Sequence, residues 1–170
     1  KEAQERVGIN IAEQVIKALR GEIVPNVVNL PTVLRQDLEF FRPFIDLCEA
    51  MGRFYYQIEK APIDRVEITY CGELANHEFE ILTIAFLKGL LTPVLSNRIN
   101  YVNAKIMAQE RGIKVYENKG KKEKGYINLI KVKIYNHNYQ LDISGTLTTI
   151  GEPVIVEFNG YETDIVPVGH

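Results

Sequence analysis

The hydrophobic pattern of the chain changes period near residue 112. Before that point apolar residues recur every three or four positions; after it they alternate with polar ones. The first spacing marks a helix with one buried face, the second a strand with one buried face. Ala3, Val7, Ile11, Val15 and Leu19 stand four apart and predict a first helix that stops at Gly21. Residues 22–31 hold Pro25 and Pro31 and no helical period, which predicts an extended connector with a short edge strand near 27–30. A second helix is expected after Asp37. Pro43 would sit in its first turn, Phe44, Leu47, Cys48, Met51, Tyr55 and Ile58 would form one stripe, and Pro62 would end it. A strand over 65–74 would bury Val66, Ile68 and Tyr70. A third helix, from about His77 to Leu91, would turn Phe79, Leu82, Phe86, Leu87 and Leu90 inward and close at Pro93. A fourth, over 102–111, would end at Gly112, a residue suited to the position after a helix.

Beyond Gly112 the period of two predicts a short strand at 113–117 and a glycine-bounded basic loop at 119–125. Strands then carry Ile130, Val132 and Ile134, next Tyr139, Leu141 and Ile143, and finally Val154, Val156 and Phe158. Asn136-His137-Asn138 reads as a turn, and Asn159-Gly160 as a type I′ hairpin. The expected fold class is α+β: a mixed sheet whose C-terminal part is an antiparallel meander packed on helices, preceded by one appended helix. The chain divides into that helix (1–21), the connector (22–36) and a compact domain (37–170).

Composition narrows the function. The 170 residues are 46% hydrophobic and 25% charged, which excludes disordered and low-complexity classes. Twenty Lys and Arg against 22 Asp and Glu leave a net charge of -2, which favours neither nucleic acid nor an anionic membrane as partner. The longest uninterrupted apolar runs are short, so no membrane span is expected. Two cysteines do not make a disulfide framework and fit a reducing cytoplasm. His77, His137 and His170 are scattered, Cys48 and Cys71 are too few for a four-ligand metal site, and no glycine-rich phosphate loop or nucleophile elbow is present. Two features stand above this background. Lys119, Lys121, Lys122 and Lys124 crowd one connection, and Tyr70-Cys71-Gly72-Glu73 hands a strand to a helix. The first reads either as a solvated loop tip or as an anion contact, the second either as an ordinary strand–helix turn that needs a small residue or as an anion site at a helix start. With Lys88, Arg98 and Lys105, the residues Lys119, Lys121 and Lys122 are the candidate anion contacts; catalytic, cofactor and metal residues are not expected.

Ordered along the chain, several stretches resemble long-form D-3-phosphoglycerate dehydrogenases. Lys1-Glu2-Ala3-Gln4-Glu5-Arg6-Val7-Gly8 and Ile11-Ala12-Glu13-Gln14 resemble the stretch after the catalytic histidine of that family. Val27-Val28-Asn29-Leu30-Pro31 resembles the exit from its substrate-binding domain. Tyr70-Cys71-Gly72-Glu73, Leu87-Lys88-Gly89-Leu90-Leu91, Val102-Asn103-Ala104, Glu110-Arg111-Gly112, Gly145-Thr146 and Asn159-Gly160-Tyr161 resemble its intervening, or allosteric substrate-binding, domain. The resemblance implies a parent enzyme that oxidises 3-phosphoglycerate to 3-phosphohydroxypyruvate with NAD, in serine biosynthesis. It implies a dehydrogenase domain upstream, an ACT domain downstream, and a homo-oligomer. This fragment would then be inactive alone and hold no NAD. Family members that gather a phosphorylated small molecule place basic residues near the last hairpin; here those places hold Val154, Tyr161 and Val166. The alternatives are a purely structural oligomerisation module and the similar domain of an iron–sulfur L-serine dehydratase. The opening Glu2–Arg6 flank favours the dehydrogenase.

Overall fold

A computed structural model describes residues 32–137 and 139–166, with side chains from Leu38 onward. The predicted first helix and most of the connector lie outside the described residues. Helix α1 spans Thr32–Ile58 and contains Pro43 well inside it. The helix therefore starts before Asp37, and Pro43 does not open it. An interior proline costs about 3 kcal/mol. Leu38 and Phe41, both buried upstream of Pro43, each contribute roughly 1.5–3 kcal/mol and offset that cost. The stripe continues through Phe44, Ile45, Leu47, Cys48, Met51 and Tyr55. The Tyr55 hydroxyl donates to the Ala61 carbonyl at 3.0 Å and ties down the exit.

Strand β1 runs Arg65–Gly72 and buries Val66, Ile68 and Tyr70, as the alternation predicts. It stops two residues early, because Gly72 takes φ 89° and turns the chain into a 3-10 turn, Glu73–Asn76. The Asn128 side chain accepts the Leu74 N–H at 2.8 Å and fixes that turn. Helix α2 follows at Glu80–Leu95, with Pro93 in its last turn. Pro93 thus does not close it; the chain breaks at Ser96, where φ is 52°. A proline so near the end removes only one backbone bond, and the Thr92 hydroxyl adds one to the Lys88 carbonyl at 2.6 Å.

Ten residues of α2 are buried and they surround the helix, which makes it a core element rather than a surface one. This revises the expectation of short apolar runs. Glu80–Arg98, 19 residues with mean hydropathy 1.2, is long and apolar enough to cross a membrane by length and composition. Its burial within the domain accounts for that composition. Helix α3, Ala104–Glu110, ends as predicted, with Gly112 at φ 77°.

Strand β2, Lys114–Gly120, lies parallel to β1, with α2 and α3 in the crossover between them. It runs three residues beyond the predicted strand. Strands β3 (Asn128–Tyr135), β4 (Gln140–Leu147), β5 (Pro153–Phe158) and β6 (Tyr161–Ile165) form the expected meander. The six-stranded order is β2-β1-β3-β4-β5-β6. Val66 pairs with Ile134, and Ile68 with Val132, which in turn faces Ile143, so one apolar face meets the helices. At the last hairpin Asn159 (φ 49°) and Gly160 (φ 86°) both take the left-handed conformation that a type I′ turn demands.

One alternation fails. Gly145 pairs with Ile155 while Ser144 pairs with Glu157, so Val156 is an extra residue in a bulge. The bulge turns Ile155 into the core at 0% exposure and leaves Val156 half-buried. The predicted inward set of Val154, Val156 and Phe158 is therefore broken. Ile155→Ala should cost about 2–5 kcal/mol in urea unfolding, and Val156→Ala under about 1 kcal/mol. The reverse ranking would remove the bulge from the account.

Candidate functional site

The candidate anion contacts are best understood from the helix pair outward. Helices α1 and α2 touch backbone to backbone. A Cβ on Gly52 would stand 2.5 Å from the Leu90 nitrogen, and a Cβ on Gly89 would stand 2.8 Å from Glu49 Cα. Real Cβ atoms do not come so close, so glycine is required at both places. Beside the crossing, the half-buried Glu49 carboxylate takes Lys88 Nζ at 3.1 Å, Arg53 Nη1 at 3.4 Å and the Tyr101 hydroxyl. Lys88 Nζ also stands 4.7 Å from the centre of the Tyr101 ring. Its charge is already matched inside the fold. Lys105 is likewise engaged, with Glu80 Oε1 at 2.5 Å, joining α3 to the start of α2.

Arg98 ends an exposed 3-10 turn, Ser96–Arg98, where its carbonyl accepts Asn103 Nδ2 at 2.7 Å. Lys119 belongs to strand β2, not to the loop the sequence predicts. The strand continues because β1 offers it partners as far as Cys71, which pairs with Gly120. Lys119 Nζ lies 5.9 Å from the centre of the Phe79 ring, whose other contact is a stacked Tyr70 ring at 4.2 Å. Lys121, Lys122 and Lys124 are exposed on the β2–β3 connection, and Glu123 between them pairs with Lys131 at 3.2 Å. Lys119, Lys121 and Lys122 thus stay in one neighbourhood; Lys88 and Lys105 are tied elsewhere to carboxylates.

The C-terminal end of that connection borders a cleft of about 250 Å³ lined by Phe44, Tyr126, Asn128, Thr146, Thr148 and Thr149, among others. Its walls hold hydroxyls, an amide and apolar surface, with no carboxylate, imidazole or ammonium. Such a lining suits hydrogen bonding to a small molecule rather than proton transfer. Part of its polarity is already used: the Thr146 hydroxyl donates to the Asn128 carbonyl.

Sequence reasoning missed one buried polar chain. Tyr70 hydroxyl and Thr83 Oγ1 lie 2.6 Å apart, and Thr83 Oγ1 donates to Glu117 Oε2 at 2.9 Å. Thr83 has one proton, so Tyr70 is the donor to it. Thr83, the one polar residue inside the apolar run 81–87, was the available signal. His77 stacks on Phe40 at 4.2 Å, and His137 Nδ1 is 3.0 Å from Asp64 Oδ2. Among the described residues no cluster of three metal-ligating side chains occurs.

Both cysteines are free and buried. Burial pushes the Cys48 thiol well above its ordinary 9.0, and the Glu49 charge adds to the effect. Burial, and then Cys48, also raise Tyr70 well above 10.0, against a smaller downward pull from the Thr83 hydrogen bond. The unfolded chain loses these protons near their ordinary values, whereas the folded chain keeps them. Stability is therefore intact below about pH 9 and falls as pH rises beyond it. Thermal unfolding between about pH 8 and pH 10.5 should show a declining midpoint, and Cys48→Ala should shrink the decline. A flat profile would contradict the burial of these groups.

Comparisons with known proteins bear on this arrangement. The family model for the D-3-phosphoglycerate dehydrogenase intervening domain matches residues 40–159. A D-3-phosphoglycerate dehydrogenase of Methanocaldococcus jannaschii is 40% identical over 169 residues, covering 99% of this chain and 32% of the relative. Proteins of the same name from Archaeoglobus fulgidus and Bacillus subtilis are 38% and 33% identical, each covering 100% of this chain and 32% of the relative. The chain thus spans about a third of the length of these relatives. The matched span runs from α1 to the last hairpin and takes in the helix crossing, the lysine connection and the cleft; the chain belongs to the D-3-phosphoglycerate dehydrogenase intervening-domain family.

Proposed function

We propose that the chain is the noncatalytic regulatory and spacer domain of an NAD-dependent D-3-phosphoglycerate dehydrogenase. The parent enzyme takes 3-phosphoglycerate to 3-phosphohydroxypyruvate, passing a hydride to NAD and a proton to solvent, and feeds L-serine biosynthesis. Membership of the intervening-domain family over residues 40–159 is the observation that carries this reading. The names of the relatives favour a dehydrogenase over the iron–sulfur dehydratase. The partners are an upstream dehydrogenase domain, to which residues 1–21 belong, and a downstream ACT domain. The assembly is a cytoplasmic homo-oligomer, and NAD binds the parent, not this domain.

The regulatory part of the reading rests on Lys119, Lys121 and Lys122, carried on the end of β2 and the connection after it, and on the hydroxyl-lined cleft that the last residues of that connection, Gly125, Tyr126 and Ile127, help to line. Their charges would hold the phosphate of a small acid, while hydroxyls and the amide of the cleft would donate hydrogen bonds to its carboxylate. Melting the chain with inorganic phosphate, 3-phosphoglycerate or 3-phosphohydroxypyruvate tests this. An effector at 100 times its dissociation constant should add about 2.7 kcal/mol, visible as a rise of several degrees. The Lys121→Glu, Lys122→Glu double variant should lose the rise. Unchanged melting with all three compounds would leave the spacer role and remove the effector; a rise kept by the double variant would move the site elsewhere.

A further inference from the structure

The sheet has two edges, β2 and β6. The Lys114 N–H donates to the Asp64 carbonyl at 3.1 Å, so Lys114, Tyr116, Asn118 and Gly120 turn their backbone groups toward β1. In a parallel ladder the intervening residues point the other way. Val115, Glu117 and Lys119 therefore offer N–H and C=O groups along an outer edge that pairs with no strand among the described residues. Strands at sheet edges are commonly guarded by proline, by a bulge, by a covering element or by charged side chains, lysine above all. On β2 the guard is Lys114, Glu117 and Lys119, charges that repel most strands and admit one whose charges are complementary. Strand β2 is seven residues long, contains neither proline nor a bulge in its pairing with β1, and is exposed along most of its length, with Tyr116 at 48%.

We propose that β2 is a docking edge for a second copy of this chain, paired antiparallel about a two-fold axis at Asn118. Charge selects both the occupant and the register. About Asn118, Glu117 lies opposite Lys119 of the second copy, and Lys119 opposite its Glu117. Both pairs are outward-facing, so each exchanges two backbone hydrogen bonds. On the other face Tyr116 lies over Gly120 of the second copy, where there is no side chain to clash. A register centred on Glu117 would set two glutamates face to face, and one centred on Lys119 two lysines, both destabilising. The β6 edge lacks this match: pairing about Thr163 would oppose Glu162 to Asp164 of the second copy twice over. The result is a continuous twelve-stranded sheet with both helix pairs on the same face.

Sedimentation equilibrium of the whole chain tests the proposal. The chain should associate to a dimer. Lys119→Glu leaves the Thr83–Glu117 bond in place and sets glutamates opposite one another, so it should weaken dimerisation about tenfold. The swap Glu117→Lys with Lys119→Glu should restore it, because the opposite charges return with their places exchanged. A chain that stays monomeric, or a dimer unaffected by Lys119→Glu, overturns the proposal. Circular dichroism checks that each variant is folded, and Lys119→Glu alone decides the matter if the swap does not fold.

Discussion

Helices α1 and α2 approach backbone to backbone where two glycines face each other, and this crossing sets the helix layer on which the sheet packs. Gly52 sits against the backbone at Leu90, and Gly89 against the backbone at Glu49. Two helices this close lose the spacer that side chains provide, and buried residues flank the crossing on both: Cys48 and Met51 on α1, Phe86 and Leu90 on α2. The contact also sets where Glu49 stands. With its backbone pressed on Gly89, its carboxylate reaches Lys88, Arg53 and Tyr101 and binds α1, α2 and the approach to α3 together. The sheet meets the pair by a second close approach: a Cβ on Gly145 of β4 would lie 2.8 Å from both Leu47 Cδ1 and Met51 Sδ. Helix α1 is thus held by glycine contacts on two sides, and its interior Pro43 is tolerated because the surrounding packing over-determines the helix.

The consequences reach the candidate site. Once α2 is buried all round, its one polar core residue, Thr83, must find partners, and Tyr70 and Glu117 supply them from the two parallel strands. That chain of hydroxyls and carboxylate anchors β2 to the helix layer, although β2 is the outermost strand. Lys119, carried on the same face of β2, lands over Phe79. The lysine connection that follows therefore begins from a fixed point, not from the free loop that its composition suggests.

The period of the apolar residues made most elements legible. The stripe from Phe44 to Tyr55, the alternation in β1 and β3, the stop at Gly112 and the turn at Asn159-Gly160 each follow from one local rule. In β4 only Leu141 and Ile143 of the expected set turn inward, while Tyr139 lies before the strand and is exposed. The errors share a physical cause: tertiary burial overrode a local signal. Pro43 and Pro93 read as helix boundaries, yet flanking core residues carry the helices past them. The bulge at Val156 is hard to read because Val154, Ile155 and Val156 are all apolar, so nothing local says which of the three turns inward. Lys119 reads as loop because nothing local reports that β1 extends alongside it. The glycine crossing was present in the sequence but unreadable, since Gly52 and Gly89 acquire meaning only when the two helices are set side by side. Of the six candidate anion contacts, two prove to be tied into internal ion pairs; charge counting along a chain cannot foresee partners 39 or 25 residues away.

The most direct test of the crossing is the stability of Gly52→Ala. In a helix interior, alanine is favoured over glycine by about 0.8–1.0 kcal/mol, so a surface glycine replaced in this way raises stability. At this crossing the added methyl group has no room against the Leu90 backbone. Overpacking of this kind costs about 1–3 kcal/mol, and backbone cannot rotate aside as a side chain can. Thermal unfolding of Gly52→Ala should therefore show a midpoint several degrees below that of the parent chain. A midpoint equal to or above the parent's would contradict the claim that the two helices meet backbone to backbone.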